Sequence, residues 1–186
     1  MREFYSKAVV LERKDVGEVD GVISLFTEDF GKILAWAKSV KKIKSKLSAH
    51  LQPLTFIKVR LIQRPGPRDG WAIVDCMRDD EFSDFETNKR YDILPIIYFL
   101  NRHLFEFQSD RRLWVFLRHI FSAKYNYPET VKALLMIMGF DSAKSSCAVC
   151  SSKPVAAFHG NDQVFLCAKC ALKFPSDALL LTNNKL

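Results

Sequence analysis

The first 78 residues alternate between short apolar runs and turn residues, which is the pattern of β-strands joined by tight connections. The connections hold Asp15-Val-Gly17, Asp29-Phe-Gly31 and a proline- and glycine-rich cluster at 65–70. Between them the pattern predicts five strands, at 4–12, 21–27, 32–38, 54–63 and 71–77. Five short strands in one segment are typical of a small closed sheet.

Alternation inside two of these strands assigns their faces, because neighbouring side chains in a strand point to opposite sides. The aliphatic sets, which suit an interior, are Ile33, Ala35 and Ala37 in the third strand and Ile57, Val59 and Leu61 in the fourth. The mixed sets are Lys32, Leu34, Trp36 and Lys38, and Phe56, Lys58 and Arg60. The pattern favours a Greek-key OB-fold barrel, and an SH3-like barrel competes on strand count alone.

The residues after the strands change to a helical period. An acidic stretch at 79–86 predicts a short helical linker, and apolar residues then recur at every third or fourth position. These residues are Ile93, Ile96, Ile97, Leu100 and Leu104, then Leu113, Phe116, Leu117 and Ile120. Pro95 predicts a kink or a helix start near Ile93, while Pro128 and Gly139 bound a third helix. The fold class is therefore α+β.

The composition is that of a globular chain. Of 186 residues, 48% are hydrophobic and 26% are charged, and no apolar run reaches the roughly 20 residues that cross a bilayer. The first residues lack the apolar core of a secretory signal. We therefore expect neither a membrane nor a secreted protein, and a cytoplasmic location.

The positive charge is concentrated in one segment. Residues 30–68 hold ten Lys or Arg and no Asp or Glu, whereas the rest of the chain has 18 basic and 21 acidic residues. Such a field attracts polyanions, and the alternative is a solvated basic face without a partner. Outward aromatic and basic side chains suit single-stranded nucleic acid. The candidate contacts are Lys32, Trp36, Lys38, Lys41, Lys42, Lys44, Lys46, Phe56, Lys58 and Arg60.

The aromatic residues of this candidate interface have an alternative role. Trp36 and Phe56 either stack on bases or cover the barrel where it meets the helices. The lysine-bearing loop at 39–50 is interpreted as an arm that contacts phosphates and could become ordered on binding.

Four of the five cysteines form a metal-ligand pattern. Cys147-x2-Cys150 and Cys167-x2-Cys170 are separated by sixteen residues, a spacing typical of a structural zinc site. Four thiolates fill a tetrahedral coordination sphere and leave no position for a catalytic water. The alternative is four reduced thiols, and the isolated Cys76 is interpreted as a buried core residue.

Catalytic patterns are missing from the sequence. It has no P-loop, GxGxxG, GxSxG or HExxH motif, and His103 and His119 are interpreted as residues of helix surfaces. We therefore expect a protein that is not an enzyme.

The order of a basic OB-like barrel, a helical region and a four-cysteine module resembles that of a known family, and an N-terminal segment supports the resemblance. The order Gly17-Glu18-x-Asp20, then Phe26-Thr27-x3-Gly31, a basic loop containing serine, and Leu51-Gln52-Pro53 is similar to the bacterial recombination mediator and DNA repair family RecO. The resemblance runs from about residue 5 to Cys170. Ser39 stands where the family usually has glycine, and family members commonly continue several tens of residues beyond the second cysteine pair.

The resemblance implies a role in DNA repair, DNA damage and homologous recombination. RecO-like proteins bind single- and double-stranded DNA and anneal strands coated with single-strand binding protein (SSB) without ATP. They work with RecR to load RecA, so RecA is an indirect partner. They also bind the SSB C-terminal tail on their helical region, where the candidate cations are Arg102, Arg111, Arg112 and Arg118. The alternative for each arginine is a solvated helix face.

The predicted organisation has four parts: an OB-fold domain at 1–80, a helical domain at 81–146, a four-cysteine zinc module at 147–170 and a short tail or helix at 171–186. The predicted location is the bacterial cytoplasm, in association with the nucleoid. Two other functions stay open, a zinc-ribbon and OB module that recruits a protein partner, and an RNA-binding OB protein.

Overall fold

The N-terminal strands close into a barrel. The computed structural model describes residues 2–42, 45–64, 70–82, 87–122 and 126–183. Strands β1 (Arg2–Val16), β2 (Asp20–Thr27), β3 (Gly31–Ala37), β4 (Phe56–Arg64) and β5 (Gly70–Arg78) pair in the closed order β1-β2-β3-β5-β4. Only the β3–β5 pair among them is parallel. This Greek-key barrel of five strands confirms the OB-like prediction.

The barrel interior is filled by the aliphatic faces that alternation predicts. Six inward side chains of β3 and β4 are at most 2% exposed: Ile33, Ala35, Ala37, Ile57, Val59 and Leu61. Cys76 joins the same core, and burial, followed by the nearby Asp75 carboxylate, raises the pKa of its thiol to about 12. Cys76 is therefore a core residue, as the sequence indicates.

The polar residues of the N-terminal motif shape turns. Thr27 Oγ1 donates to the Gly31 carbonyl at 2.9 Å and accepts from the Phe30 N–H at 3.0 Å, which fixes the β2–β3 turn. Asp20 accepts a hydrogen bond of 2.6 Å from the Ser39 N–H and so ties the end of β3 to the start of β2. These side chains position the barrel loops rather than offering free polar groups to a ligand.

Three helices follow the barrel: α1 (Thr87–His103), α2 (Arg111–Ser122) and α3 (Tyr127–Ile137), after a short 3₁₀ turn at Asp80–Phe82. The rest of the predicted acidic linker, at 83–86, lies outside the described residues. Helix α1 runs on both sides of Pro95. The Asn126 side chain accepts from the Glu129 N–H at the start of α3, and Gly139 follows its end with φ at +93°.

The barrel and the helices share one apolar core. Four outward side chains of β1, β2 and β4 belong to it and are at most 4% exposed: Val9, Leu11, Phe26 and Phe56. They cluster with residues of all three helices, among them Leu100, Trp114 and Leu134. One side of the barrel is therefore closed to any ligand by the helices.

The cysteine-bearing segment contributes a second sheet. Strands β6 (Ala157–His159), β7 (Val164–Leu166) and β8 (Leu179–Leu181) pair in the order β7-β6-β8, with the single-turn helix α4 (Ala168–Ala171) after β7. The expected terminal tail or helix is corrected, because β8 pairs with β6 and buries Leu179 and Leu180 to 7% and 4% exposure. The burial of these two leucine side chains favours a strand in the sheet over an exposed tail.

His103 connects α1 to this second sheet and is partly buried, contrary to its expected surface position. Its Nδ1 lies 2.8 Å from the Phe99 carbonyl oxygen, and its Nε2 lies 2.9 Å from that of Gly160. The imidazole ring also stacks on Phe99 with 4.3 Å between ring centroids.

Among the described helices, none combines the length and hydropathy needed to cross a membrane.

Candidate nucleic-acid interface and metal centre

The four predicted cysteine ligands converge on one point. The Sγ atoms of Cys147, Cys150, Cys167 and Cys170 all lie within 4.8 Å of one another. The Ser151 N–H donates to the Cys147 carbonyl at 2.8 Å, with φ at +59°, which bends the first pair into a tight turn. The β6–β7 hairpin then returns the chain so that α4 begins beside that turn. The sequence prediction of a four-cysteine cluster is confirmed.

Backbone donors prepare this cluster for negative charge. Burial raises the pKa of the Cys147 thiol, but backbone N–H groups of Cys167, Cys150 and Val149 outweigh it and lower that pKa to about 6. The Ser152 hydroxyl and the Cys170 N–H lower the pKa of Cys167. Burial and then the neighbouring sulfurs raise the pKa of Cys170 to about 12. Four thiolates in this space need a cation to balance their repulsion.

The chemistry of the donor set suits a structural metal ion. Four sulfurs within 4.8 Å of one another match the ligand preference of a soft or borderline divalent ion, and four thiolates would fill a tetrahedral coordination sphere. His159 lies in β6 and is not part of the four-residue cluster. The cluster therefore fits a metal that holds the two turns together.

Exposed lysines gather at the end of the barrel where β3 leaves it. Lys38, Lys41, Lys42 and Lys46 are exposed, and Lys44 lies outside the described residues. The segment that carries them is anchored at both ends, because Val40 and Leu51 are fully buried in the barrel core. Its backbone also meets the β1–β2 turn, where the Lys41 N–H donates to Val19 O at 2.9 Å. The described part of the arm is thus fixed to the barrel.

Two outward side chains of β3 adjoin these lysines. Leu34 is 43% exposed, and Trp36 is partly exposed opposite Val22 of β2. In OB-folds the surface of β2 and β3 is the usual oligonucleotide face. The structure therefore brings Trp36 together with Lys38 and the lysine arm.

Lys32, at the other end of β3, is engaged by the protein itself. Its ammonium group donates to the carbonyl oxygens of Asn101 and of Leu104, the latter at 3.2 Å. These carbonyls belong to the end of α1, where a cation offsets the negative end of the helix dipole. The ammonium group of Lys32 therefore caps a helix end, and a DNA contact by this residue stays a prediction.

We expect Lys32→Met to lower the free energy of unfolding by about 1.5–3 kcal/mol, since hydrogen bonds from a charged donor to helix carbonyls are lost. The variant should leave DNA affinity per folded molecule within about twofold of wild type. Urea denaturation and fluorescence anisotropy measure the two effects. Lys38→Met is the matched control, with stability retained and affinity reduced; the opposite pattern would contradict this assignment.

Phe56 does not lie at the candidate DNA interface. Its ring is 2% exposed and makes edge contacts with Trp114 and Phe121, at centroid distances of 5.8 and 4.8 Å. The prediction that Phe56 stacks on bases is therefore wrong. The alternative stated for it, covering the barrel where it meets the helices, is the one observed.

Lys58 and Arg60 lie on another face of the barrel, formed by β1, β4 and β5. They line a groove of about 580 Å³ with Tyr5 and Met77, which are 69% and 59% exposed. Acidic residues partner both cations: Lys58 lies 3.6 Å from Asp79, and Arg60 lies 3.5 Å from Glu3. The predicted DNA set is thus divided between two faces.

The four arginines predicted for the SSB tail are on α1 and α2. The Arg102 guanidinium lies 5.7 Å from the Tyr98 ring centroid, and Arg112 pairs with Asp110 at 3.0 Å. Arg118 forms an ion pair with Glu81. Arg111 is exposed one residue before Arg112 and shares a helix face with Arg118, because seven residues make about two helical turns.

Sequence reasoning missed two exposed aromatic residues. Phe105 and Phe107 are 74% and 63% exposed in the connection between α1 and α2. The signal that could have found them is a pair of phenylalanines at the point where the helical period lapses.

Comparisons with known proteins agree with this architecture. A family model described as "Recombination protein O N terminal" matches residues 1–67, which hold β1 to β4 and the lysine arm. A "DNA repair protein RecO" of Thermoanaerobacter sp. (strain X514) is 25% identical over 179 residues, covering 87% of this chain and 68% of the relative.

Two further relatives carry the same name. That of Caldanaerobacter subterraneus subsp. tengcongensis is 28% identical over 168 residues, covering 82% of this chain and 65% of the relative. That of Dehalococcoides mccartyi (strain CBDB1) is 46% identical over 59 residues, covering 32% of this chain and 23% of the relative. The longer alignments thus span about two thirds of the relatives' length.

Proposed function

We propose that the chain is a recombination mediator of the RecO family of DNA repair proteins, which the family model over residues 1–67 and the similar RecO proteins support. In this role it binds single- and double-stranded DNA, anneals complementary strands and, with RecR, helps to load RecA onto SSB-coated DNA. The observation that supports the proposal is the cluster of exposed lysines beside Trp36 at one end of the OB-like barrel.

Annealing needs only binding and neutralisation at such a surface. Two complementary strands repel each other through their phosphates, and a dense cationic segment lowers that repulsion when both strands reach it. Partly exposed aromatic rings hold single-stranded bases unstacked from their neighbours until they pair. No bond is broken, so the proposed activity requires neither a catalytic residue nor ATP, and we propose a non-enzymatic protein.

We propose that the four-cysteine cluster holds a structural Zn²⁺. The all-sulfur donor set and the short distances between its sulfur atoms support zinc, whose structural sites are tetrahedral and often use four cysteines. Cys147 and Cys150 would hold the ion from the first turn, and Cys167 and Cys170 would hold it from the start of α4. Four thiolate ligands would leave the ion no open position for a water molecule or a substrate, so we propose a structural and not a catalytic site.

The partner proteins are proposed on the family premise. We propose that RecR binds this chain, that the acidic SSB tail binds near Arg102, Arg111, Arg112 and Arg118, and that RecA is engaged indirectly. Exposed guanidinium groups on α1 and α2 support the tail site, because an acidic peptide needs several cations near one another. We propose a cytoplasmic, nucleoid-associated location.

The first experiment is annealing of complementary oligonucleotides that are pre-coated with SSB, in the absence of ATP. We expect the protein to accelerate duplex formation several-fold or more over the uncatalysed rate. The same assay with RNA strands tests the alternative of an RNA-binding OB protein, which should prefer RNA because it reads the 2′-hydroxyl. DNA binding without annealing would contradict the mediator role and leave a partner-recruiting module.

Charge reversal at the lysine arm tests the location of binding. We expect the triple variant Lys38→Glu, Lys41→Glu and Lys42→Glu to weaken single-strand binding and to flatten its salt dependence. With about 0.7 of a slope unit per phosphate contact, loss of three contacts reduces the slope of log affinity against log salt by about 2. Titrations at several salt concentrations measure this slope.

A matched control carries the same charge change elsewhere. Lys144, Lys153 and Lys173 are exposed in the second half of the chain, and their reversal to Glu should leave the slope within about 0.5 of wild type. Equal flattening by the two triple variants would show that the net charge of the chain, and not the arm, controls binding.

A further inference from the structure

We infer that Phe105 and Phe107 form a platform on which bases of a single DNA strand stack, next to the β3 face of the barrel. The inference rests on the proposed DNA-binding function and adds a second site for unpaired nucleobases, on a loop outside the barrel. The segment Leu104–Asp110, here called the Phe loop, connects α1 to α2.

The Phe loop is fixed to the first residues of β3. The Phe107 N–H donates to the Lys32 carbonyl at 2.9 Å, and Glu106 forms a parallel bridge with Lys32. The Lys32 ammonium group donates a hydrogen bond of 3.2 Å to the Leu104 carbonyl oxygen. The Gln108 carbonyl crosses so close to Gly31 that a Cβ there would lie 2.1 Å from its oxygen. Backbone contacts on both sides therefore hold the loop.

The far end of the Phe loop is also anchored. The Asp110 carboxylate accepts from the Arg112 N–H at 2.8 Å and so caps the start of α2. Phe107 itself has φ at +62°, a left-handed conformation that residues with a Cβ rarely adopt. Such conformations persist where the surroundings impose them, and they concentrate at binding sites.

Although this backbone is fixed, its two rings face solvent. Phe105 and Phe107 are 74% and 63% exposed, whereas Phe26 and Phe56 of the nearby barrel are at most 2% exposed. Single exposed apolar residues are ordinary, but two phenylalanines on one anchored loop form an apolar patch that suits a partner. A loop whose backbone is already fixed loses little backbone freedom when a ligand binds to its side chains.

The surrounding charge favours a single nucleic-acid strand as the occupant. The Phe loop contacts β3 at Lys32, Trp36 lies four residues further along that strand, and Lys38 follows the end of the strand. At about 3.3 Å per residue, Lys32 and Trp36 are separated by about 13 Å, the scale of a few nucleotides. The exposed lysines that follow Trp36 are Lys38, Lys41, Lys42 and Lys46, and Arg111 begins α2. Aromatic rings in series with cations are the usual single-strand surface.

The test compares three DNA probes of equal length by fluorescence anisotropy: single-stranded oligo-dT, a fully abasic strand, and a duplex. We expect wild type to bind oligo-dT more tightly than the abasic strand, because stacking adds to phosphate attraction. The double variant Phe105→Ala and Phe107→Ala should bind oligo-dT about 10- to 100-fold more weakly and lose this preference. Its affinity for the abasic strand and the duplex should stay within about twofold, because neither presents unpaired bases.

Control variants separate stacking from other causes. Phe105→Tyr with Phe107→Tyr keeps aromatic faces and should retain the preference, while Leu at the two positions keeps apolar bulk and should lose it. Ala at the exposed residues Met136 and Leu172 should change nothing. An unchanged preference in the double Ala variant, or its retention with Leu, would overturn the inference. Failure of wild type to bind any DNA would instead contradict the proposed function.

Discussion

Gly31→Ala is expected to destabilise the protein by about 4 kcal/mol or more, which is among the largest effects a single methyl group produces. The added Cβ would lie 2.1 Å from the Gln108 carbonyl oxygen and 2.3 Å from its carbon. These are backbone atoms, so no side chain can rotate away, and β3 and the Phe loop must separate. Chemical denaturation measures the stability loss, and amide hydrogen exchange at Phe107 reports the separation.

Gly17→Ala is the control that isolates backbone strain. Gly17 has φ at +60°, close to the +69° of Gly31, but no atom lies within 4 Å of a Cβ built there. We expect Gly17→Ala to lower the free energy of unfolding by about 1–2 kcal/mol, the usual strain of a residue with a Cβ in the left-handed conformation. Similar losses of stability in Gly31→Ala and Gly17→Ala would contradict the close approach of the Gln108 backbone to Gly31.

Cys150→Ser is the second change with a large expected effect. It removes one of four sulfurs, and structural zinc sites contribute apparent binding free energies of about 10–16 kcal/mol in small peptides. A chain of this size changes its Tm by about 2–4 °C for each kcal/mol. We therefore expect the bound zinc to fall from one ion per chain to nearly none, and the Tm to fall by about 10 °C or more.

DNA affinity per folded molecule should change little in Cys150→Ser, because the lysine arm lies on the barrel. Zinc content by atomic spectroscopy, thermal melts and DNA titration are measured on the same preparation. Cys76→Ala is the matched control, since it deletes a buried thiol outside the cluster and should keep the full zinc content. A zinc-free Cys150→Ser protein with a normal Tm would contradict a structural metal.

The interior of the barrel could be predicted because strand alternation is a local property. The spacing of Ile33, Ala35 and Ala37 assigns them to the core, and each is fully buried. The cysteine spacing was equally informative, since two short turns and a hairpin leave the four sulfurs few other arrangements.

The outward face could not be predicted from alternation, because its fate depends on elements distant in sequence. Lys32 and Trp36 share one face of β3, yet α1 reaches Lys32 through carbonyls about 70 residues away and leaves Trp36 partly exposed. Phe56 faces outward as predicted, but α2 supplies Trp114 to cover it. Local pattern identified the side of the strand, and tertiary packing decided which part of that side stays open.

The core shared by barrel and helices has a consequence for synthesis of the chain. The barrel strands end at Arg78, but Trp114 and Phe121, which cover Phe56, come about 40 residues later. At about 5–20 residues per second, the ribosome needs roughly 2–8 s to make that stretch. During this interval a nascent barrel presents Val9, Leu11, Phe26 and Phe56 to solvent. The apolar outer face of the barrel is therefore covered only after the ribosome has made α2.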